Sequence, residues 1–177
     1  MKRNELEKYF VYDTPINPFH PPGSFAGIEL FTVKPDVIAG GTEINMGAVW
    51  MTGPWEESEV YKPHYHDCPE LMAWFGMDPK NPRELGGEVE FWMEDEKFII
   101  TKTCAVYLPK GLQHNPMFPI KVNRPFLWVT CLPTSAVGMH YTTDPKWNRF
   151  KDIPDIEAPG WSPADKKESP LKKKGSA

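Results

Sequence analysis

The sequence predicts an all-β domain, a sandwich or barrel of short antiparallel strands. Three observations lead there. Proline makes up 20 of the 177 residues, about twice the ordinary share. That argues against a helical bundle, because proline has no N–H to donate and clashes inside a helix. From residue 28 to 132, short runs rich in β-branched and aromatic residues recur, separated by Gly, Pro, Asp and Asn. The length, 177 residues, is that of one ordinary domain.

The elements follow in chain order. Residues 1–27 contain Asp13-Thr14-Pro15-Ile16-Asn17-Pro18-Phe19-His20-Pro21-Pro22-Gly23. No regular helix or interior strand accommodates that run, so an irregular N-terminal arm is expected. Strands are expected near 28–34, 43–52, 70–76, 88–94, 97–102, 104–108 and 126–133, where the β-forming residues cluster. Asp95-Glu96 reads as a tight hairpin, and Asp78-Pro79-Lys80-Asn81-Pro82 as a loop, since two prolines and an asparagine leave no ladder to join. The domain is expected to span 28–142. A C-terminal arm, 143–165, carries Trp147, Phe150, Ile153, Ile156 and Trp161 as apolar anchors, and 166–177 reads as a Lys-rich mobile tail. Long Pro-rich arms dotted with large apolar residues are costly to leave in water, so at least one is expected to pack across the boundary of a homodimer.

Charge and cysteine content narrow the function. Asp165, Glu168 and five lysines give the last thirteen residues +3, so the first 164 carry −7 of the total −4. So acidic a body is a poor polyanion binder, which excludes nucleic acid as a partner. No apolar run reaches the roughly 18–20 residues of a membrane span, and the polar N-terminus lacks a secretory core. Cys68, Cys104 and Cys131 are too few and too scattered for a disulfide framework. A reduced, cytoplasmic protein is therefore expected.

The chemistry gathers around histidine. Two of the five histidines stand in His64-Tyr65-His66. On a strand, residues two apart point the same way about 7 Å from each other, close enough for two imidazoles to share one ion at about 2.0–2.2 Å each. Glu70 follows His66 by an even step, and Pro109-Lys110-Gly111-Leu112-Gln113-His114 offers a third imidazole after a Pro–Gly turn. The pattern His64-x-His66-x-x-x-Glu70, then Pro109-x-Gly111-x-x-His114, resembles the two motifs of the cupin superfamily. The resemblance covers roughly residues 43–133. It implies a double-stranded β-helix, or jelly roll, with His64, His66, Glu70 and His114 as ligands to one divalent metal. Ser58, Thr103 and Phe118 depart from the family's Gly, Gly and Asn. Met77 also stands where the family has Gly, with Gly76 one residue earlier. These are turn and scaffold positions, whereas all four ligand positions are filled.

Other candidates have plainer readings. His20 and His140 are read as surface or satisfied core residues, although His140 is also a possible proton-transfer residue. Cys68 falls in phase with His66 and Glu70, which offers a structural zinc site as a competing reading. The following Pro69 breaks strict alternation, and a small buried thiol is the preferred one. Tyr65 should face away from its histidine neighbours. If Glu70 faces inward, so should Met72 and Trp74, and Trp128 and Thr130 share one face of their strand. Trp50 and Phe118, with Met117, are expected to extend this apolar lining. Such a pocket suits a small hydrophobic or aromatic molecule.

Three imidazoles and a carboxylate suit Fe(II), Mn(II), Ni(II), Co(II) or Zn(II) and leave about two positions on an octahedral ion. An oxygenase-type oxidoreductase, a dioxygenase binding substrate beside O2, is the leading expectation. A redox-neutral isomerase, lyase or hydrolase using the ion as a Lewis acid is the alternative. A non-catalytic metal- and ligand-binding module is the third reading, because a fold alone does not settle function.

Overall fold

The protein's structure, a computed structural model, describes residues 7–11, 27–33, 43–55, 62–134, 137–142 and 161–163. Almost all of both expected arms and the whole expected tail lie outside these residues. A single 3₁₀ turn, Glu7–Tyr9, precedes eleven strands among the described residues. They are β1 (Gly27–Val33), β2 (Asn45–Met51), β3 (His64–Tyr65), β4 (Glu70–Gly76), β5 (Glu84–Met93), β6 (Glu96–Lys102), β7 (Cys104–Leu108), β8 (His114–Val122), β9 (Phe126–Leu132), β10 (Val137–Tyr141) and β11 (Trp161–Pro163).

Their pairing defines the topology. Antiparallel pairs form between β2 and β9, β3 and β8, β4 and β7, and β5 and β6. The chain is thus a long ribbon doubled back at the turn between β5 and β6. Winding that ribbon distributes its strands into two sheets, ordered β1-β2-β9-β4-β7 and β11-β10-β3-β8-β5-β6. All described pairings are antiparallel except β10 with β11. Four nested antiparallel pairs wound into facing sheets constitute a jelly roll.

The core lies between the sheets. Val49, Met51, Met72, Trp74, Phe126 and Trp128 from one sheet meet Leu85, Val89, Phe91 and Met117 from the other. Trp74 and Phe91 meet across the gap, with ring centroids 5.5 Å apart. Alternation delivers these contacts: along β9 the even-numbered residues from Phe126 to Leu132 are buried and the odd ones only partly so. One glycine is demanded by crowding. A Cβ on Gly76 would lie 1.9 Å from the Glu84 carbonyl oxygen, where the end of β4 passes the start of β5. The family's glycine expected at 77 is therefore supplied one residue earlier.

The expected strands are all present, with shifted ends. β5 begins at Glu84 rather than 88, and the hairpin turn sits at Glu94-Asp95, one residue early, with Glu94 at φ 48°. The expected loop at 78–82 is a turn held by Asp78, whose carboxylate accepts from the Lys80 N–H at 3.0 Å and from the Asn81 side chain. Four further strands, the short β3 and β11 together with β8 and β10, were not among those expected. β8 contains Pro116 and Pro119, residues normally kept out of interior strands. It is accommodated by register shifts against β5 and by Asn115 at φ 67°. β10 is a short, mixed segment, Val-Gly-Met-His-Tyr, with no alternating signature.

Candidate metal centre

The centre lies between the two sheets. β3 carries His64, with His66 just beyond its end, and β8 opens on His114, which pairs directly with His64. β4 opens on Glu70 from the opposite sheet. All four side chains are buried, at 2–4 % exposure. Ring centroids are 4.8 Å apart for His64 and His66 and 4.7 Å apart for His64 and His114. One ring nitrogen from each of the three histidines lies within 4.8 Å of the others.

Backbone carbonyls set the orientation of every ring. The Nδ1–H of His64 donates to the Lys62 carbonyl at 2.6 Å, that of His66 to Gly138 at 2.8 Å, and that of His114 to Leu112 at 3.0 Å. A carbonyl can only accept, so each neutral ring keeps its proton on Nδ1 and presents the Nε2 lone pair inward. The two motifs are also tied together. The Gly111 N–H donates to the His66 carbonyl at 3.0 Å, and Gly111 adopts φ +82°, which explains glycine in the Pro-x-Gly turn.

Glu70 completes the donor set. Its Oε2 lies 3.0 Å from His114 Nε2 and 3.3 Å from His66 Nε2. Its Oε1 accepts a very short hydrogen bond from the Thr130 hydroxyl. Two lone-pair nitrogens converging on a carboxylate oxygen repel unless a proton or a cation lies among them. Burial alone would raise the Glu70 carboxyl, but the adjacent His114 and His66 outweigh it and hold the group well below its ordinary range. Burial, with His114 and His66 alongside, also holds His64 well below its ordinary value, which keeps it neutral and able to ligate. Three imidazoles anchored through their outer nitrogens, beside an ionised carboxylate, are a donor set that suits a divalent first-row ion.

The other sequence candidates divide. Met72, Trp74, Trp128 and Thr130 face the interior as expected. Trp50 does not: it pairs with Leu127, while its neighbours Val49 and Met51 face Trp128 and Phe126 in the core. It therefore stands on the outer face of the sheet. Phe118, paired with Glu90, is only partly buried and packs against the edge of the core, while Met117 opposite Phe91 takes the interior place. Irregular register around β8 shifts the parity that the sequence alone suggests. Tyr65 faces away from the imidazoles, stacked on His140 at 4.6 Å. His140 pairs with Tyr65, and its Nε2 is 2.7 Å from the Asp67 carboxylate, so it is directed away from the centre. Cys68 is not in the cluster, and burial first, then Glu70 and Asp67, raises its thiol and keeps it protonated. Two residues near the centre escaped sequence reasoning. Tyr141 pairs with His64 at a ring distance of 6.0 Å, and Asn45 is buried at the start of β2. An asparagine opening a strand, or a tyrosine in an unrecognised strand, carries no metal signature.

No family model matches the sequence, and no curated protein does. Among solved structures, an oxalate oxidase bound to the substrate analogue glycolate matches at TM-score 0.48 and 14% identity, over 76% of this chain and 63% of that one. The chain thus spans less than two thirds of the oxalate oxidase. A polyketide cyclase from Streptomyces resistomycificus matches at TM-score 0.47 and 9% identity, covering 75% of this chain and 83% of that one. A sugar phosphate isomerase of the cupin superfamily from Silicibacter pomeroyi matches at 0.45 and 13%, covering 73% and 74%. These likenesses carry no substrate or reaction across. With its nested strand pairs wound into two sheets and its three histidines held between them, the chain has a jelly-roll fold.

Proposed function

We propose that this protein is a metal-dependent enzyme, an oxygenase-type oxidoreductase acting on a small hydrophobic or aromatic molecule. The observation that carries the reading is the anchoring of all three imidazoles by backbone carbonyls, so that Nε2 atoms converge beside a buried, ionised Glu70. His64, His66, His114 and Glu70 are the proposed ligands. A divalent ion in this set supplies Lewis acidity and, where redox-active, access to O2.

The chain's own residues do the rest. The carbonyls of Lys62, Gly138 and Leu112 hold the rings in one tautomer, so no reorientation is needed when a ligand arrives. Thr130 engages one Glu70 oxygen and directs the other toward the imidazoles. Met72, Leu108, Leu132 and Met139, all nearly or fully buried, keep bulk water from the interior. The redox-neutral alternative called for a proton-transfer residue, and His140, its candidate, faces Asp67 instead.

Elemental analysis of protein purified anaerobically without chelators tests the reading. Near-stoichiometric Fe, Mn, Ni or Co is expected, and it should vanish in Glu70→Ala. His114→Ala should lower metal affinity by more than about 100-fold with the fold intact, because the core forms without the ion. Wild-type protein without metal would overturn the proposal, and O2 uptake with candidate phenols or diketones would place it among oxygenases. The three free cysteines fit a reducing, cytoplasmic setting.

We also propose a homodimer. The outward residues of β2, β9, β4 and β7, which include Trp50, Leu127, Val129, Leu71, Phe75 and Tyr107, contain no charged side chain, and Tyr107 is 65 % exposed. On a chain of net charge −4, this is the face on which a second copy meets least repulsion. Light scattering should give twice 20.3 kDa for the wild type and the single-chain mass for Tyr107→Glu. A monomeric wild type would overturn the dimer.

A further inference from the structure

Three buried side chains between the sheets hold polar atoms with no hydrogen-bond partner among the described residues. They are the indole N–H groups of Trp74 and Trp128 and both ends of the Asn45 carboxamide. Their exposures are 0 %, 5 % and 1 %. Packing alone does not ask for them. Phenylalanine or leucine would fill these places without stranding a donor or acceptor, and a buried polar group without a partner forfeits its hydration for nothing.

Their placement is ordered. On the inner face of the five-stranded sheet, Trp74 lies opposite Trp128, which lies opposite Val49; in the next row Met72 lies opposite Thr130, which lies opposite Gly47. Two residues further along their strands come Glu70 and Asn45. One end of this face thus holds the carboxylate and the carboxamide, while the indoles stand two rows away. Thr130 to Trp128 is about 7 Å along the strand, and Glu70 to Trp74 about 13 Å. Gly47, between Asn45 and Val49 in β2, adds no side chain to the middle row.

We propose that Trp74, Trp128 and Asn45 are substrate-recognition residues. The substrate class that answers them is a planar molecule with chelating oxygens at one end and a hydrogen-bond acceptor, such as a carbonyl, carboxylate or nitro oxygen, at the other. The proposal rests on the metal-centre reading, since the chelating end is placed by the ion that His64, His66, His114 and Glu70 would hold. The indole donors then select a polar far end inside an otherwise apolar chamber, where a ligand lacking an acceptor leaves two N–H groups stranded. Asn45, with both donor and acceptor atoms, receives a substituent at the metal end.

The test uses the metal-loaded full chain with two probes, 4-nitrocatechol and catechol, which share a chelating end and differ in the far acceptor. Binding is followed by visible absorption for the first and by competition for the second. Trp74→Phe and Trp128→Phe keep the ring and remove the N–H. Each is expected to weaken 4-nitrocatechol by about fivefold or more and catechol by less than about twofold, with metal content unchanged. Asn45→Leu, close to isosteric, should melt no lower than wild type without ligand, because a stranded carboxamide has been removed, while weakening both probes, and it serves where a Phe variant, which leaves a cavity, does not fold. Equal losses of both probes in the Phe variants, a lower melting temperature in Asn45→Leu, or a metal-loaded wild type that binds neither probe would overturn the proposal. Wild-type protein that holds no metal would instead defeat the metal-centre reading, leaving the melting temperature of Asn45→Leu to decide on the stranded carboxamide.

Discussion

The six-stranded and five-stranded sheets treat their outer faces differently. Along β5, buried Leu85, Gly87, Val89 and Phe91 alternate with half-buried Glu88, Glu90 and Trp92. Glu88 and Glu90 pair outward with Lys121 at 3.0 Å and Lys97 at 3.4 Å. In the five-stranded sheet, the outward residues of β2, β9, β4 and β7 carry no charge, as in strands that expect cover on both faces. The centre is divided along the same line, with imidazoles from the first sheet and Glu70 and Thr130 from the second. The six-stranded sheet pairs charges along β5, although it too exposes Phe98, Ile99 and Ile120, while the other carries the carboxylate, the stranded polar groups and an outer face without charge among the described residues.

The comparison breaks most visibly on stability. Phe91→Ala, deep between the sheets, should cost about 3–5 kcal/mol by denaturant titration. Phe75→Ala, 41 % exposed on the apolar outer face, should cost the isolated chain about 1 kcal/mol or less. Similar losses would mean that the outer face is as well packed as the core.

Thr130→Val probes the bond by which the five-stranded sheet orients its carboxylate. A metal-affinity loss of about tenfold is expected, with melting of the metal-free protein little changed. Unaltered affinity in a competition titration would remove Thr130 from the centre.

The pH response of the metal-free protein should be smaller. Burial first, then His114 and His66, keeps His64 below its ordinary 6.5. The unfolded chain therefore binds a proton that the folded one resists, so stability falls as the pH drops below about 6.5. Glu70, held below its ordinary 4.5, stays charged through that first decline, and its own contribution disappears only at lower pH. Denaturation midpoints at pH 7.5 and 5.5 should show the lower value at 5.5, and the reverse order would contradict the assignment. The smallest effect belongs to the surface pair. Lys97→Met should change stability by about 0.5 kcal/mol or less, since Lys97 is half exposed and solvent screens its pairing with Glu90.

How much was legible varies with the signal. The strand at 70–76 and the interior placing of Met72 and Trp74 followed from alternation, which survives because β4 pairs without register shifts on both sides. The grouping of His64, His66, Glu70 and His114 followed from the resemblance of their two motifs to the cupin pattern, with the two-residue step from His64 to His66 as the part that strand geometry supplies. Trp50 shows where this fails. A tryptophan reads as interior by its type, yet parity relative to Val49 and Met51 puts it outside. Phe118 and the whole of β8 were obscured by prolines whose tolerance depends on bulges visible only in the partner strand.

By itself the sequence determined the all-β class, the acidic charge of residues 1–164, and the four side chains that meet between the sheets. These depend on residue type and local spacing, which the chain carries with it. Only the tertiary structure decided which carbonyls anchor the imidazoles, that Thr130 engages Glu70, and that His140 turns to Asp67. Those partners lie far apart along the chain, up to 73 residues for His140 and Asp67. Strand order and register bring them together, and both emerge from the winding of the whole ribbon.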